Sequence, residues 1–367
     1  MWALIFGGMF ILSVLGVIYM VSRIRKFKFI NRITQGKKSG VLLGILIVGI
    51  MEAVFVLALN VWNAMVMSMH ILAFWLMCDG IGHFIKKKSK KEYKCYYAGI
   101  FAVLVSTVYL CVAWYFAHHV YDTNYQITAE KELGVDKFRV VAFTDSHVGA
   151  NFHADKFREY VQRMNDLEPD IVVIVGDYVD DSTSLEDMVE TSKALGELKT
   201  KYGVYYVFGN HDKGYYGRSH RGYGEKELVE NLEKNGVVVL EDELVKLVGN
   251  ISLLGRQDAS VKNRKPMEEL AKEYSDEDYI IVLDHQPNDF TNQTTARADL
   301  VISGHTHGGQ LMPLNYFSEI TGMNDKTYGY EKRENTNFVV SSGISDWEVS
   351  FRTGCPAEIV IVDINGK

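Results

Sequence analysis

Five clusters of aspartate, asparagine and histidine recur in the second half of this 367-residue chain. They lie in the segments FTDSHVG, IVGDYVDD, VFGNHDK, VLDHQP and SGHTHGG, and each follows a hydrophobic run. One cluster would be weak evidence, because polar residues commonly form turns and a His-x-His pair can lie on one face of a strand. Five clusters in this position are hard to assign to turn chemistry, and they indicate a metal site.

The ligand types narrow the choice of metal. Carboxylates, imidazoles and an amide oxygen, without a thiolate, suit Mn, Fe, Zn or Co and argue against a cysteine-based zinc site. Two divalent ions sharing one carboxylate would account for all seven candidate ligands: Asp145, His147, Asp177, Asn210, His285, His305 and His307. Two ions about 3.5–4 Å apart can hold a bridging hydroxide and clamp a phosphoryl group, so phosphate ester hydrolysis is the natural chemistry.

Two further polar residues have candidate catalytic roles in this chemistry. His211 follows the candidate ligand Asn210 directly, where its ring could protonate the leaving oxygen. Asp180 could orient that ring. Asp284, beside His285, could compete as a ligand or act as an outer partner of the site.

Alternating strand-like and amphipathic segments place these residues in an α/β domain. The pattern predicts strands at 138–143, 171–175 and 204–208, and helices near 153–166, 185–199 and 225–234. Shorter strand-like runs follow at 237–240, 245–254, 279–284, 299–302, 337–341 and 357–363. Ligands of an open α/β sheet gather at the carboxyl ends of its strands, so all five clusters could converge on one edge.

The first 119 residues predict an α-helical membrane region of four spans. Apolar runs occupy about 2–22, 41–59, 64–84 and 96–118, each close to the roughly 20 residues that cross a bilayer. Alternatively, the first run could be a cleaved signal peptide, but it has no basic segment before it and Arg23 follows it. Residues 120–136 are mixed and polar and predict a linker, which leaves 137–367 as the water-soluble domain.

Charge divides the chain in the same way and predicts its orientation. Residues 1–119 carry a formal charge of +10 and the remainder carries −17, so nucleic-acid binding is not expected of the acidic domain. The basic segments 23–40 and 86–95 should be cytoplasmic, which places the domain on the outer side of the cell membrane if four spans are correct. Only one of the four cysteines, Cys355, lies in that domain, so no disulfide can form within it.

Two further groups of residues are candidate sites. The loop KGYYGRSHRGYG contains Lys213, Arg218 and Arg221, which could grip a phosphate, although a solvated mobile loop would have the same composition. Glu52 lies near the middle of the second span, and His70 is expected at a similar depth in the third. The two could form a functional pair or a purely structural contact between helices.

The five motifs, in this order and spacing, resemble those of the calcineurin-like metallophosphoesterase superfamily. The resemblance covers about residues 137–365, and the GHTHGGQ form with the late FRTGCPAE segment looks most like a membrane-associated bacterial branch. It implies a four-layer α/β/β/α sandwich, with Asp177 bridging two ions. One ion would be held by Asp145, His147 and His307, and the other by Asn210, His285 and His305. His211, paired with Asp180, would be the catalytic histidine.

The expected function is therefore that of a membrane-anchored, metal-dependent phosphoesterase. Because the linker is short, a lipid-linked or envelope phosphodiester or pyrophosphate is the expected substrate. Alternatives are a hydrolase of soluble nucleotides or phosphomonoesters, a non-catalytic scaffold on the same fold, and a transporter or sensor in which the spans do the work. The metal identity, manganese included, stays open.

Overall fold

A computed structural model describes residues 2–91, 93–312 and 314–366 of the chain. They form two compact units. One comprises the residues up to Tyr115 together with Glu348–Phe351, and the other comprises Phe116–Trp347 and the residues from Arg352 onward.

The first unit is helical, and its long apolar helices coincide with the four predicted spans. Four of its helices are long and apolar enough to cross a membrane, and a short helix lies in the first basic segment. The helices are α1 (Trp2–Ile24), α2 (Lys28–Thr34), α3 (Ser39–Ala58), α4 (Val61–Ser89) and α5 (Tyr97–His118).

The predicted Glu52–His70 pair is not formed. Glu52 Oε1 on α3 accepts a hydrogen bond from Ser68 Oγ at 2.5 Å. His70 Nδ1 lies 2.8 Å from the Val66 carbonyl oxygen, and its ring packs 5.5 Å from that of Tyr109. Ser68 and His70 are two residues apart on α4 and so point about 200° away from each other around the helix axis. Only Ser68 therefore faces Glu52.

A second polar cluster ties helices of the same unit together. Asp79 on α4 accepts hydrogen bonds from Tyr19 Oη at 2.7 Å and Tyr96 Oη at 2.6 Å, and it pairs with Arg23 Nε at 2.7 Å. Tyr19 and Arg23 belong to α1, and Tyr96 directly precedes α5. The carboxylate is thus satisfied from two other helical segments, as a charge in an apolar bundle requires.

The second unit is the predicted α/β domain. Its helices and strands follow in the order β1 (Val120–Thr128), β2 (Lys137–Phe143), α6 (Ala154–Asp166), β3 (Ile171–Val175), α7 (Leu185–Leu195), β4 (Val204–Val207), α8 (Arg218–Arg221), α9 (Glu225–Lys234), β5 (Val237–Val239), β6 (Glu243–Val248), β7 (Ile251–Gly255), α10 (Met267–Leu270), β8 (Tyr279–Leu283), α11 (Phe290–Thr295), β9 (Leu300–Ser303), α12 (Phe317–Ile320), β10 (Gly329–Arg333), β11 (Thr336–Val340) and β12 (Ala357–Asn365).

The strands form two six-stranded sheets. The first has the order β1-β12-β2-β3-β4-β5 and the second β10-β11-β9-β8-β7-β6. In the first sheet β2, β3, β4 and β5 are parallel, and in the second β7, β8, β9 and β11 are parallel. The carboxyl ends of the parallel strands of each sheet therefore lie at one edge of that sheet.

Three apolar layers hold the sheets and helices together and confirm the four-layer α/β/β/α sandwich. Alternate residues of β2 show how: Val141 and Phe143 face the helices α6, α7 and α9, whereas Phe138 and Val140 face the second sheet. A third layer, which includes Phe290 and the residues it contacts, lies between the second sheet and α10 and α11. This alternation is the period of two that a strand buried on both faces requires.

The predicted linker is wrong over its first half, because residues 120–128 form an edge strand. β1 pairs with β12 in parallel from Val120 opposite Ala357 to Thr128 opposite Asn365. Most of its side chains are half-buried or exposed, which explains why its sequence is mixed and polar. His119 alone separates the end of α5 from the start of β1, so the tether is one residue long.

The single strand predicted at 245–254 is instead the hairpin of β6 and β7. The turn falls at Gly249, whose φ of 53° is in the left-handed region. A Cβ at this position would lie 2.2 Å from the carbonyl oxygen of Leu133, so only glycine fits.

Candidate metal centre

The seven candidate ligands, together with His211 and Asp180, follow strands of the two sheets. Their positions after β2, β3, β4, β8 and β9 place them at the carboxyl ends of parallel strands, as expected. Five of them have a positive φ, which residues other than glycine rarely adopt: Asp145, His147, Asp177, His305 and His307. Such strain persists where the surrounding structure enforces it, and it is common at functional sites.

The candidate ligands form two tight groups. The atoms that could bind a metal lie within 4.8 Å of one another in a first group of Asp145, His147 and His307 and in a second group of Asp177, His285 and His305. In the first group His307 Nε2 lies 3.6 Å from Asp145 Oδ1.

Asp177 belongs to the second group and also lies close to the first. Its Oδ2 atom lies 3.1 Å from His285 Nε2 and 3.8 Å from His147 Nε2. Burial by itself would raise the pKa of Asp177, but the surrounding imidazoles, His285 first, hold it well below its usual value. An ionised carboxylate between two ligand groups is suited to bridge two cations.

Glycines allow the backbone to approach these carboxylates. A Cβ on Gly209, before Asn210, would lie 2.2 Å from Asp177 Oδ1, and one on Gly304, before His305, would lie 2.4 Å from Asp145 Oδ2. Larger residues at either position would displace a candidate ligand.

Three buried ligand atoms make no hydrogen bond among the described residues, although one of them, His285 Nε2, lies 3.1 Å from Asp177 Oδ2. Unpaired donor and acceptor atoms of this kind fit a metal site. The three atoms are His147 Nε2, His285 Nε2 and Asn210 Oδ1. Leaving such atoms unpaired in the core would cost about 1–3 kcal/mol each. Asn210 uses its amide nitrogen to donate to Tyr215 Oη at 2.9 Å, which leaves its oxygen as the free ligand atom.

The opposite nitrogen of each of three imidazoles is held by an outer partner. His147 Nδ1 lies 3.0 Å from Asp180 Oδ2, His285 Nδ1 2.8 Å from the Val175 carbonyl oxygen, and His307 Nδ1 3.1 Å from the Ser345 carbonyl oxygen. Outer partners of this kind fix the ring so that Nε2 faces the metal.

Asp180 has a different partner from the one predicted. Its carboxylate binds His147 and the Ser182 hydroxyl, and no hydrogen bond joins it to the His211 ring among the described residues. Burial would raise the pKa of Asp180, but the hydrogen bond from His147 outweighs it and lowers the pKa to about 2. The predicted Asp180–His211 pair therefore needs correction, because the candidate ligand His147 takes the carboxylate.

We expect Asp180→Asn to weaken metal binding by about 10–100-fold, the effect typical of losing an outer partner of a ligand histidine. Titration of the full chain with Mn²⁺ against a competing chelator measures this. Asp181→Asn is the matched control, because Asp181 binds backbone N–H groups of Tyr215 and Tyr216 rather than a ligand. Unchanged affinity with reduced turnover would instead support a role through His211.

His211 lies beside the two groups. Its backbone N–H donates to Asp177 Oδ1 at 2.8 Å, and its ring lies 5.1 Å from that of His147 and 5.0 Å from that of Trp347. Burial lowers the pKa of His211, although Asp177 opposes the effect.

The basic loop is held by the domain itself. The Arg221 guanidinium is buried and donates to the carbonyl oxygens of Asp180 at 3.2 Å and Asp212 at 2.6 Å. Lys213 pairs with Glu225 at 2.7 Å, and Arg218 pairs with Glu227 at 2.8 Å.

These contacts change the prediction for the loop. Substrate contact is not supported for Arg221, whose donors face the backbone, or for Lys213, which also pairs with Glu241 at 3.3 Å. Arg218 is 70% exposed, and its substrate contact stays a prediction.

Asp284 acts as a core ion pair rather than as a ligand. Its Oδ2 atom accepts from Arg256 at 2.8 Å and from Gln293 at 2.6 Å, and it also binds Arg264. Asp284 belongs to neither of the two ligand groups, although its buried Oδ1 atom has no hydrogen-bond partner among the described residues.

Sequence reasoning missed the role of Asp212. Its Oδ2 atom accepts from the backbone N–H groups of Asp177 at 2.8 Å and Gly209 at 2.6 Å, and Oδ1 accepts from Val179 at 3.0 Å. One side chain thus fixes the loops after β3 and β4 to each other. Its place two residues after Asn210 was the available signal.

Arg352 was also missed as a support for the site. It is fully buried, binds Asp346, and donates to the carbonyl oxygens of Ser345 and Pro356. The Ser345 oxygen also faces His307 Nδ1. Arg352 therefore holds the segment that orients one candidate ligand.

The chain enters the α/β unit at the edge that carries these groups. Val120 pairs with Ala357 at the start of β12, and three residues further Val360 pairs with Ala142, just before Asp145. Val120 and Asp145 thus lie at the same end of the sheet, two strands apart, which is about 10 Å.

Paired sheets with buried carboxylates and imidazoles at one edge define the class of dimetal α/β sandwiches. Residues 138–309 match the family model described as calcineurin-like phosphoesterase. An uncharacterized metallophosphoesterase of Aquifex aeolicus is 30% identical over 256 residues, which cover 66% of this chain and 91% of the relative. The chain therefore belongs to the calcineurin-like phosphoesterase family.

Two further relatives match a smaller share of their own length. An uncharacterized metallophosphoesterase of Campylobacter jejuni is 32% identical over 235 residues, which cover 62% of this chain and 59% of the relative. A transmembrane protein with metallophosphoesterase domain of Danio rerio is 32% identical over 231 residues, 60% of this chain and 52% of the relative. The chain thus aligns with little more than half of these relatives.

Proposed function

We propose that this protein is a membrane-anchored, dimetal phosphoesterase. The observation that carries the proposal is the set of three unpaired buried ligand atoms on His147, Asn210 and His285, together with two compact ligand groups, one of which contains Asp177. Two divalent ions bound there would polarise a phosphoryl group and activate water for attack on it.

The protein side chains divide the remaining tasks. Asp177 supplies the shared negative charge, and Asp180, Val175 and Ser345 orient the three ligand imidazoles. His211 is the proposed acid for the leaving oxygen, because its ring lies beside His147 and its backbone is fixed by Asp177.

We further propose that the substrate is lipid-linked, such as an envelope phosphodiester or pyrophosphate. Two features support this substrate class. The tether is His119 alone, about 3.5 Å of chain. The first residue after it, Val120, lies at the sheet edge that carries Asp145. The short tether therefore limits the distance between this edge and the end of the last predicted span.

The test uses the full chain in lipid nanodiscs, stripped of metal and reloaded with Mn²⁺. We expect turnover of a bilayer-embedded phosphodiester or pyrophosphate only with metal, and slower turnover of a short-chain soluble analogue with the same ester. Equal rates on both would contradict the membrane substrate but not the hydrolase. Metal binding without turnover of any ester would favour the scaffold alternative.

The α/β domain is proposed to face the outer side of the membrane, since the basic segments 23–40 and 86–95 favour the cytoplasm. We expect a membrane-impermeant maleimide to label Val238→Cys in intact cells, because Val238 is exposed on β5. Cys95, in a basic segment, should react only after lysis. The reverse pattern would place the domain in the cytoplasm.

A further inference from the structure

An exposed apolar segment follows the last candidate ligand. We call residues 311–312 and 314–324 the apolar loop. Large hydrophobic side chains are exposed along it, with Ile320 82% exposed. The exposed set is Met312, Tyr316, Phe317, Ile320 and Met323.

Polar side chains anchor the apolar loop, and large apolar side chains are exposed along it. Ser318 Oγ lies 2.9 Å from Thr327 Oγ1, and Glu319 Oε1 accepts from the Thr327 N–H at 2.6 Å. These two polar side chains bind Thr327, while Met312, Tyr316, Phe317, Ile320 and Met323 are exposed. A surface arranged in this way marks an interaction site.

The turn that carries His305 and His307 contacts Asn315 near the start of the loop and Thr327, which follows the loop by three residues. Thr306 Oγ1 donates to the Thr327 carbonyl oxygen at 2.6 Å. A Cβ on Gly309 would lie 2.0 Å from the Cα atom of Asn315. The apolar loop is therefore fixed beside the candidate metal centre.

Three observations select a lipid bilayer as the occupant of this surface. The same chain has four helices that are apolar enough to span a membrane. One residue tethers the α/β unit to the last of them, at the edge of the candidate metal centre. The charge of −17 after residue 119 argues against electrostatic attraction to anionic lipids, so docking would depend on apolar contacts.

We propose that the apolar loop inserts its side chains into the interfacial layer of the bilayer and there receives the lipid part of the substrate. The insertion itself does not depend on catalysis. The role in substrate capture rests on the proposed phosphoesterase function. Inserted aromatic and aliphatic residues gain free energy from apolar burial at the level of the headgroups.

The first experiment measures insertion in the full chain, reconstituted in nanodiscs of phosphatidylcholine and phosphatidylglycerol. Cys78, Cys95 and Cys111 are replaced by alanine, and the buried Cys355 is kept. An environment-sensitive dye is attached at Ile320→Cys. The control is Val238→Cys, an exposed apolar position on β5. This strand forms the edge of the first sheet opposite β1, the strand that follows the tether.

We expect the dye at position 320 to shift to shorter wavelength and to be quenched by lipids with a doxyl group near the headgroup, roughly twofold or more. The dye at position 238 should show neither effect. The proposal would be overturned if lipid quenching at position 320 were no greater than at position 238. A protein partner that covers the loop would also give this result.

The second experiment measures capture of the substrate with Phe317→Ser and Ile320→Ser combined. We expect turnover of the bilayer-embedded ester to fall about tenfold, because two large apolar contacts are lost, while turnover of a small soluble ester stays unchanged. Loss of both activities, or of neither, would contradict the role in capture. If the unmodified protein turns over no ester, the proposed function fails, and quenching at position 320 still decides insertion.

Discussion

Replacing Asp177 by asparagine is expected to remove bound metal and to lower turnover by at least about 10³-fold, more than the 10–100-fold effect typical of an outer partner. Among the described residues, Asp177 is the carboxylate that lies close to both His285 and His147, at 3.1 and 3.8 Å. A neutral amide there would leave two cations without their shared negative charge. Their mutual repulsion would then weaken both sites.

Metal content by mass spectrometry and turnover of a soluble ester, each measured on the full chain, check this prediction. The matched control is Asp276→Asn, which makes the same change at a side chain 82% exposed on the surface. The control should retain both metal and activity. An Asp177→Asn protein with two ions and normal turnover would contradict the bridging assignment.

Replacing Arg352 by methionine is expected to destabilise the α/β unit by about 3–5 kcal/mol, the usual cost of breaking a buried ion pair. Arg352 has no exposed side-chain surface, and its removal leaves the Asp346 carboxylate buried without its guanidinium partner, while the hydrogen bond from Asn151 stays. Burial raises the pKa of Asp346, against the opposing charge of Arg352. Without that charge the carboxylate is left uncompensated.

The apparent Tm of the full chain should fall by roughly 10 °C for Arg352→Met. Asp346→Asn with Arg352→Met separates loss of the ion pair from loss of packing, because the double variant has no unpaired charge. We expect the double variant to be more stable than Arg352→Met alone. Lower stability in the double variant would show that the charge pair is not the main contribution.

The candidate ligands and the outer partners that orient them differ in how well the local sequence could identify them. The candidate ligands could be recognised because each follows a buried strand directly, and the ends of parallel strands converge whatever the loops do. Their outer partners could not be recognised. Asp180 lies equally close in sequence to several imidazoles, and only the packed structure gives it to His147 rather than His211.

The same limit explains the errors in the fold. β1 is an edge strand, exposed along most of one face and half-buried along most of the other, so its sequence lacks the apolar run by which β2 and β3 were found. Arg221 was predicted to contact a phosphate because it lies in a basic loop that follows His211 directly. Its burial depends on the carbonyl groups of Asp180 and Asp212, which lie 41 and 9 residues earlier in the chain.

The sequence by itself determined the four apolar helices, the alternation of strands and helices in the α/β unit, and the seven candidate ligands. These features depend on hydrophobic period, on segment length and on side-chain chemistry, which are local properties. Tertiary structure alone decided the one-residue tether, the partners of Asp180 and Glu52, and the outward-facing apolar loop. Each of these depends on which distant segments pack together, since burial and hydrogen bonding are settled between elements rather than within them.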